Sequence, residues 1–463
     1  MQVNDYLFQG NEGERAPKSV KRLIVNPGIQ VLPNELCYNC ERLREVTMPQ
    51  GLIKIGSRAF GLCFSLLAID ICSTVESIGQ SSFWKCQLLA KIDFEQPSSS
   101  PHQLRSIGRH AFRYCLSLQR IKVPSSVNLI GMCSFKSCDG LVEAILSSTS
   151  IKEIPSWGFA HCRSLQSLSL PSSLERICDS ACIDCTCLVT VMVPLGAQPI
   201  EIEAGAFYRC RCLANLVLSQ GSNASENSFD GCALLRDRFG KRTDAIVAAM
   251  INRFDDFPVH KLCYDHYSTT AHELRRCWTE NKEEIDASMV DEFGMTPFHV
   301  LFSTTEPSGE LFEVLLDKFP YHVLSWKDAN GKVAMDYLVS NWTDTSTSLL
   351  DMTLQKWIFC RLERWCAKCW RNVMIPLVNT LLAEEDKGRR MTVFIEICSI
   401  LKKYENVEAT SILEMTLWKR HLKRGRSNDG TKRQALDREE CRCVCGSDVV
   451  IPNVIQFFVG IHQ

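Results

Sequence analysis

Ile107-Gly108-Arg109-His110-Ala111-Phe112-Arg113-Tyr114-Cys115-Leu116-Ser117-Leu118-Gln119-Arg120-Ile121-Lys122-Val123-Pro124 decides the fold, because its apolar landmarks return 23 residues later as Ile130, Gly131, Phe135, Cys138 and Leu141. Reduced to fixed positions the unit reads I-G-x-x-x-F-x-x-C-x-x-L-x-x-I-x-L/V-P. Eight copies start at Leu32, Ile55, Ile78, Ile107, Ile130, Ile154, Ile177 and Ile202. A fixed period of this length means one supersecondary unit stacked many times. The one long gap, between Ile78 and Ile107, holds Glu95-Gln96-Pro97-Ser98-Ser99-Ser100-Pro101-His102, a turn-forming run that reads as a surface loop. Val20, Leu23 and Val25 fit only the end of the pattern, and Phe229, Cys232 and Leu235 only its middle. Degenerate end copies suit a solenoid, whose open ends would otherwise expose apolar columns.

In each copy the segment L-x-x-I-x-V alternates with period two after its leucine, as a short strand does, so stacked copies should align into one parallel sheet. Phe and Cys are three apart, the spacing of neighbours on one side of a helical turn. That portion should form the opposite, convex wall, with Phe60, Phe83, Phe112, Phe135, Phe159 and Phe207 as an internal column.

These landmarks resemble the BspA-like type of leucine-rich repeat, and Gly-x-x-Ala-Phe stands intact at Gly56-Ser57-Arg58-Ala59-Phe60 and Gly108-Arg109-His110-Ala111-Phe112. The seventh copy departs most, with Cys178 in place of Gly and Cys182 in place of Phe, which implies a locally thinner wall. The resemblance covers roughly residues 20–235. It implies a curved solenoid used for adhesion or interaction, with no catalytic residues to carry over.

Cysteine is abundant, at 25 of 463 residues. Cys40, Cys63, Cys86, Cys115, Cys138, Cys162, Cys185 and Cys210 share one repeat position, so a ladder of buried thiols acting as small apolar side chains is expected. The opening Met1-Gln2-Val3-Asn4-Asp5 is not a secretion signal, which points to a reducing, intracellular setting, in cytoplasm or nucleus, where such thiols stay reduced. No apolar run reaches membrane-spanning length; Val449 to Ile461 is interrupted by Pro452, Asn453 and Gln456.

A formal net charge of −1 provides no global field to attract nucleic acid or an acidic membrane. The local exception is Lys419-Arg420-His421-Leu422-Lys423-Arg424-Gly425-Arg426 with Lys432-Arg433, readable as a solvated helix end or as a nuclear-import or phosphate-binding patch.

From about residue 240 the period vanishes and the texture turns helical. Gly294-Met295-Thr296-Pro297-Phe298-His299 resembles the ankyrin opening, in which Thr caps the first helix and Pro takes its first position. There the histidine ties adjacent turns by hydrogen bonds, so His299 is given a structural role. A weaker copy starts at Asp328-Ala329-Asn330-Gly331, without Thr-Pro or His. Two repeats rarely suffice alone, so helices at roughly 241–286 and 346–422 should complete the core. Cys366 with Cys369, and Cys441, Cys443 and Cys445, lack the paired knuckles or spaced histidines of a zinc module, so no metal is expected. No phosphate-binding loop, His-Glu-x-x-His helix or nucleophile elbow occurs.

The fold class expected is therefore an α/β leucine-rich repeat solenoid with a parallel sheet on its concave face, followed by an all-α, ankyrin-like domain. Its divisions are an N-terminal segment 1–19, a solenoid 20–236, a helical domain 241–422 with ankyrin-like repeats at 291–345, and a basic, Cys-containing tail 423–463. The function expected is a non-enzymatic scaffold for a protein partner, with no cofactor, catalytic residue or small-molecule substrate; nucleic acid is not expected. The alternatives are a nucleus-directed or nucleic-acid-associated adaptor using 419–433, and an enzyme with an unrecognised site in the helical domain. Alternation puts two columns on the concave face: Glu45, Ala68, Lys91, Arg120, Glu143, Ser167, Thr190 and Asn215 beside Thr47, Asp70, Asp93, Lys122, Ile145, Ser169, Met192 and Val217. Asp70, Lys91, Asp93, Arg120 and Lys122 are the expected polar anchors for the partner, and Ile145, Met192 and Val217 its apolar floor.

Overall fold

The computed structural model describes residues 5–94, 101–280, 290–319, 323 and 326–340, all inside the compact unit Met1–Leu349. The helices expected at 346–422, the 419–433 basic cluster and the cysteine groups at 366–369 and 441–445 lie outside the described residues.

Each copy of the repeat makes one coil carrying two short parallel strands. The longer strand is the alternating segment: Arg120–Lys122 pairs with Glu143–Ile145, then Ser167–Ser169, Thr190–Met192 and Asn215–Leu216, in strict repeat register. Upstream, Ala68–Asp70 pairs with Lys91–Asp93, and Arg22–Val25 with Glu45–Thr47. The central residue of each strand points inward; Ile121 and Leu168 are each 1% exposed. A further strand, Asp5–Phe8, pairs in parallel with Arg22–Val25, so the sheet begins inside the segment expected to precede the solenoid. A second ladder, of two-residue strands, is built from the first apolar residue of each copy, with Ile78 opposite Ile107 and Ile154 opposite Ile177.

The opposite wall is not helical. Two residues per coil, four apart, have a left-handed backbone, as Arg58 (φ 55°) and Leu62 (φ 61°) or His110 (φ 56°) and Tyr114 (φ 64°) show. These positions break any helix into tight turns and divide the backbone donors between two uses. Ala59, Gly61 and Cys63 donate within their own coil, to Gly56, Arg58 and Phe60, whereas Arg58, Phe60 and Leu62 donate 2.8 Å to Gln80, Ser82 and Trp84 of the next. Each coil is thereby hydrogen-bonded to its neighbour on the turn wall, whereas the single sheet expected opposite is three runs, broken between Glu45–Thr47 and Ala68–Asp70 and between Lys91–Asp93 and Arg120–Lys122. The coils also approach closely: a Cβ on Gly108 would stand 2.6 Å from the carbonyl carbon of Gly79, which is why the second motif position is glycine.

Against the turn wall the interior holds two columns. Phe60, Phe83, Phe112, Phe135 and Phe159 stack with centroids 5.2–5.4 Å apart and nearly parallel planes. The stack stops at Cys182 and resumes with Phe207 and Phe229. Beside it the ladder cysteines are free thiols and fully buried. They do more than fill space. Cys115 Sγ donates to the Phe83 carbonyl at 3.3 Å and Cys138 Sγ to the Phe112 carbonyl at 3.1 Å, and Cys86, Cys162 and Cys185 repeat the contact. The thiol thus satisfies, weakly, a carbonyl that turns into the core.

After the last coil come helices α1 (Ala233–Phe239), α2 (Thr243–Ile251), α3 (Pro258–Tyr264), α4 (Ala271–Glu280), α5 (Pro297–Ser303), α6 (Gly309–Lys318) and α7 (Ala334–Ser340). The turns before α5 and α7 repeat 37 residues apart. Asp291 Oδ1 accepts from the backbone of Phe293 and Met295, and Asp328 Oδ1 from Asn330 and Lys332. Gly294 and Gly331 both take the left-handed conformation these turns require.

Candidate interaction face

The register places the two outward columns where alternation puts them, but the face divides halfway. Glu45, Thr47, Ala68, Asp70, Lys91 and Lys122 are exposed, and Asp93 and Arg120 are half-buried. From the next coil onward the outward side chains are covered: Glu143, Ile145, Ser167, Ser169, Thr190, Met192 and Asn215 are all at most 5% exposed. Val217 is half-buried.

The cover is the chain's own helical segment. Thr190 Oγ1 donates to Ser303 Oγ at 2.9 Å, at the end of α5. Met192 Sδ accepts from the backbone and hydroxyl of Thr305, at 3.4 and 3.5 Å. Tyr264, at the end of α3, donates its hydroxyl to the Val191 carbonyl at 2.8 Å and accepts the Val193 N–H at 2.9 Å. Ile145 and Met192 are therefore not an exposed apolar floor, and Val217 lines a cavity of about 170 Å3 with Ile251 and Phe254, well below the few hundred Å3 of a ligand pocket. Alternation fixes the side of the sheet a residue occupies; it says nothing of what crosses that side from more than a hundred residues downstream.

Two charged clusters pin the cover. Arg253, with its side chain 0% exposed, reaches Asp291 Oδ2 at 2.5 Å, Glu292 Oε2 at 2.6 Å, the Ala214 carbonyl at 3.1 Å and Asn215 Oδ1 at 3.2 Å. Its guanidinium lies over the rings of Phe254 and Phe293. At the margin, Glu306 takes Arg120 and Lys122, each at 3.1 Å. Arg120 also reaches the buried Glu143 at 2.5 Å. Burial pushes the Glu143 carboxyl up to about 7 against the pull of Arg120, with Glu306 adding to the rise. Of the expected polar anchors, Arg120 and Lys122 are thus engaged by the chain itself, and Lys91 pairs with Asp93 at 2.7 Å.

Arg253, Tyr264, Ser303, Thr305 and Glu306 were not legible as site residues, because each acts on a partner distant in sequence. A faint signal existed: the outward columns turn from charged to small, as Ser167, Ser169 and Thr190, where something packs closely.

The histidines of this region are buried. His299 Nδ1 accepts the Thr296 N–H at 3.1 Å, closing a capping box on α5, and Nε2 sits 3.1 Å from the Lys332 carbonyl in the second turn. Burial holds its basicity below the usual range. His260 and His266 are pushed down to about 4, also by burial. Among the described residues no group of three or more His, Cys, Asp or Glu could hold a metal ion, and no helix is long and apolar enough to cross a membrane.

The class these features define is a leucine-rich repeat solenoid. Residues 16–102 and 96–201 match the BspA type leucine-rich repeat region, in six copies. No curated protein matches the chain. Among solved structures, it is similar to a leucine-rich repeat protein of T. pallidum, with 23% identity, 45% of this chain and 83% of the other covered, and a TM-score of 0.32. A leucine-rich repeat protein from Bacteroides ovatus is 19% identical over 50% of this chain and 76% of its own, with a TM-score of 0.31. The pneumococcal vaccine antigen PcpA is 21% identical, with 50% and 64% covered and a TM-score of 0.34. Leucine-rich repeat proteins are generally protein-interaction scaffolds.

Proposed function

We propose that the protein is a non-enzymatic, intracellular scaffold that holds a protein partner on the open half of its sheet face, between Glu45 and Lys91, while its helical segment closes the other half. The observation that carries this reading is the change in exposure along the two outward columns. Outward side chains of the early strands stand in water, whereas the same positions from Glu143 onward are filled by the chain itself. A face that already accepts α3 and α5 is sterically suited to a second helical or extended segment alongside. A ladder of buried thiols, one per coil and hydrogen-bonded to carbonyls, is what supports an intracellular setting, where thiols stay reduced. As part of the same proposal, the stretch 291–345 is a pair of ankyrin-like repeats; the repeated aspartate turns and the His299 bonds in its described part support this.

The test is affinity purification of the full chain with mass spectrometry, repeated with Asp70→Lys/Lys91→Glu. Both side chains are exposed and the Lys91–Asp93 pair that the change breaks is a surface one, so stability should change by no more than about 1 kcal/mol. A partner retained by the parent and by a charge-reversed variant on the turn wall, but lost from this one, supports the reading. Equal retention by Asp70→Lys/Lys91→Glu contradicts it.

A further inference from the structure

Between Glu95 and Asp139 the chain contains no aspartate or glutamate, yet it contains Arg105, Arg109, Arg113, Arg120, Lys122 and Lys136. Arg120 and Lys122 face the sheet side. Arg109, Arg113 and Lys136 belong instead to the turn wall of successive coils, joined there by Lys85 from the preceding coil. Their backbones are stacked coil on coil: the Lys85 N–H donates to the Arg113 carbonyl at 2.8 Å, and the Tyr114 N–H to the Lys136 carbonyl at 3.0 Å. Among the described residues none of these four cations forms an ion pair with a carboxylate.

Three of them are instead held on aromatic rings. Lys85 Nζ stands 4.9 Å from the Trp84 ring and 5.9 Å from that of Tyr114. The Arg113 guanidinium lies 4.8 Å from the Tyr114 ring, and Lys136 Nζ only 3.6 Å from that of Trp157. Such contacts orient a cation without neutralising it. In a chain of net charge −1, this is a concentrated and uncompensated positive patch.

We propose that this patch on the turn wall is a second docking surface, independent of the sheet face, for a short acidic segment of a protein partner. Charge complementarity sets the sign of the ligand, and two features set its kind. Each ring already carries a cation, so the rings act as platforms for charge rather than as free surfaces for stacked bases. The patch is also short. The stacked Phe rings of successive coils stand 5.2–5.4 Å apart, and the patch is bounded by Glu35, paired with Arg58 on one side, and by Asp139 and Asp184 on the other. An extended peptide places alternate carboxylates about 6.7 Å apart, close enough to the coil repeat for flexible side chains to meet one cation per coil. A long nucleic-acid strand would run onto the flanking carboxylates.

The experiment uses the full chain and fluorescein-labelled hexaglutamate, read by anisotropy at low and at physiological salt. Saturable binding that weakens with salt is expected, with a loss of about tenfold in Lys85→Gln/Arg113→Gln/Lys136→Gln and little change in the remote pair Lys21→Gln/Lys54→Gln. Lys85→Arg/Lys136→Arg, which keeps the charge, should bind like the parent. Should the triple variant fail to fold, Arg109→Gln, on an exposed side chain, should still weaken binding severalfold. Absence of saturable binding, equal loss in the remote pair, or tighter binding of an oligothymidylate than of hexaglutamate each overturns the proposal, the last in favour of a nucleic-acid site.

Discussion

Arg253→Met is expected to destabilise the protein by about 3–5 kcal/mol, because it strands the fully buried Asp291 carboxylate without its cation. The same substitution removes the donors to Ala214 and Asn215, through which α2 and the turn before α5 are fixed to the last strand of the sheet. Methionine keeps much of the volume between Phe254 and Phe293, so the loss is electrostatic rather than a cavity. Adding Asp291→Asn should recover part of it, since a neutral amide costs less to bury unpaired than a carboxylate. Chemical denaturation of the two variants measures both effects. A parent-like midpoint for Arg253→Met would show that the helices are not anchored through this residue.

Phe112→Ala is expected to cost about 3–5 kcal/mol. Phe112 is 0% exposed and stacked on both faces, at 5.2 Å from Phe83 and 5.4 Å from Phe135. The wall cannot collapse around the void, because its backbone is tied to both neighbouring coils. Phe112→Leu, which refills most of the space, should cost clearly less. Coils contact only their neighbours, so loss of structure should begin near Ile107 to Cys138 rather than in the helices. Hydrogen exchange compared between parent and mutant locates it; unchanged stability would mean that the aromatic column bears little of the load.

The solenoid was legible because its information is local and repeated: every coil states the same inward residues, and alternation then fixes the outward ones. The phenylalanine column, the cysteine ladder and the membership of both outward columns follow from that alone. The form of the turn wall does not, since a spacing of three between Phe and Cys suits a helical turn and also the left-handed turns that His110 and Tyr114 make. Nor does the closure of the sheet face. Arg253 meets Asp291, and Glu306 meets Arg120, through tertiary packing between segments with no common pattern, so the expected apolar floor at Ile145 and Met192 proved to be an internal interface. The Asp328-Ala329-Asn330-Gly331 turn was readable as a weaker copy of the one at Gly294; the matching aspartate hydrogen bonds are what the structure adds.

The helical segment occupies the later half of the sheet face and leaves the earlier half open. Hydroxyl-radical footprinting of the native full chain tests it most directly at Met192, a reactive side chain held under Thr305 and 5% exposed. Met192 should oxidise much more slowly than the half-buried Met48 and Met132, and should reach their rate only after denaturation. Oxidation of native Met192 as fast as Met48 would contradict the account, because the face would then be open along its whole length.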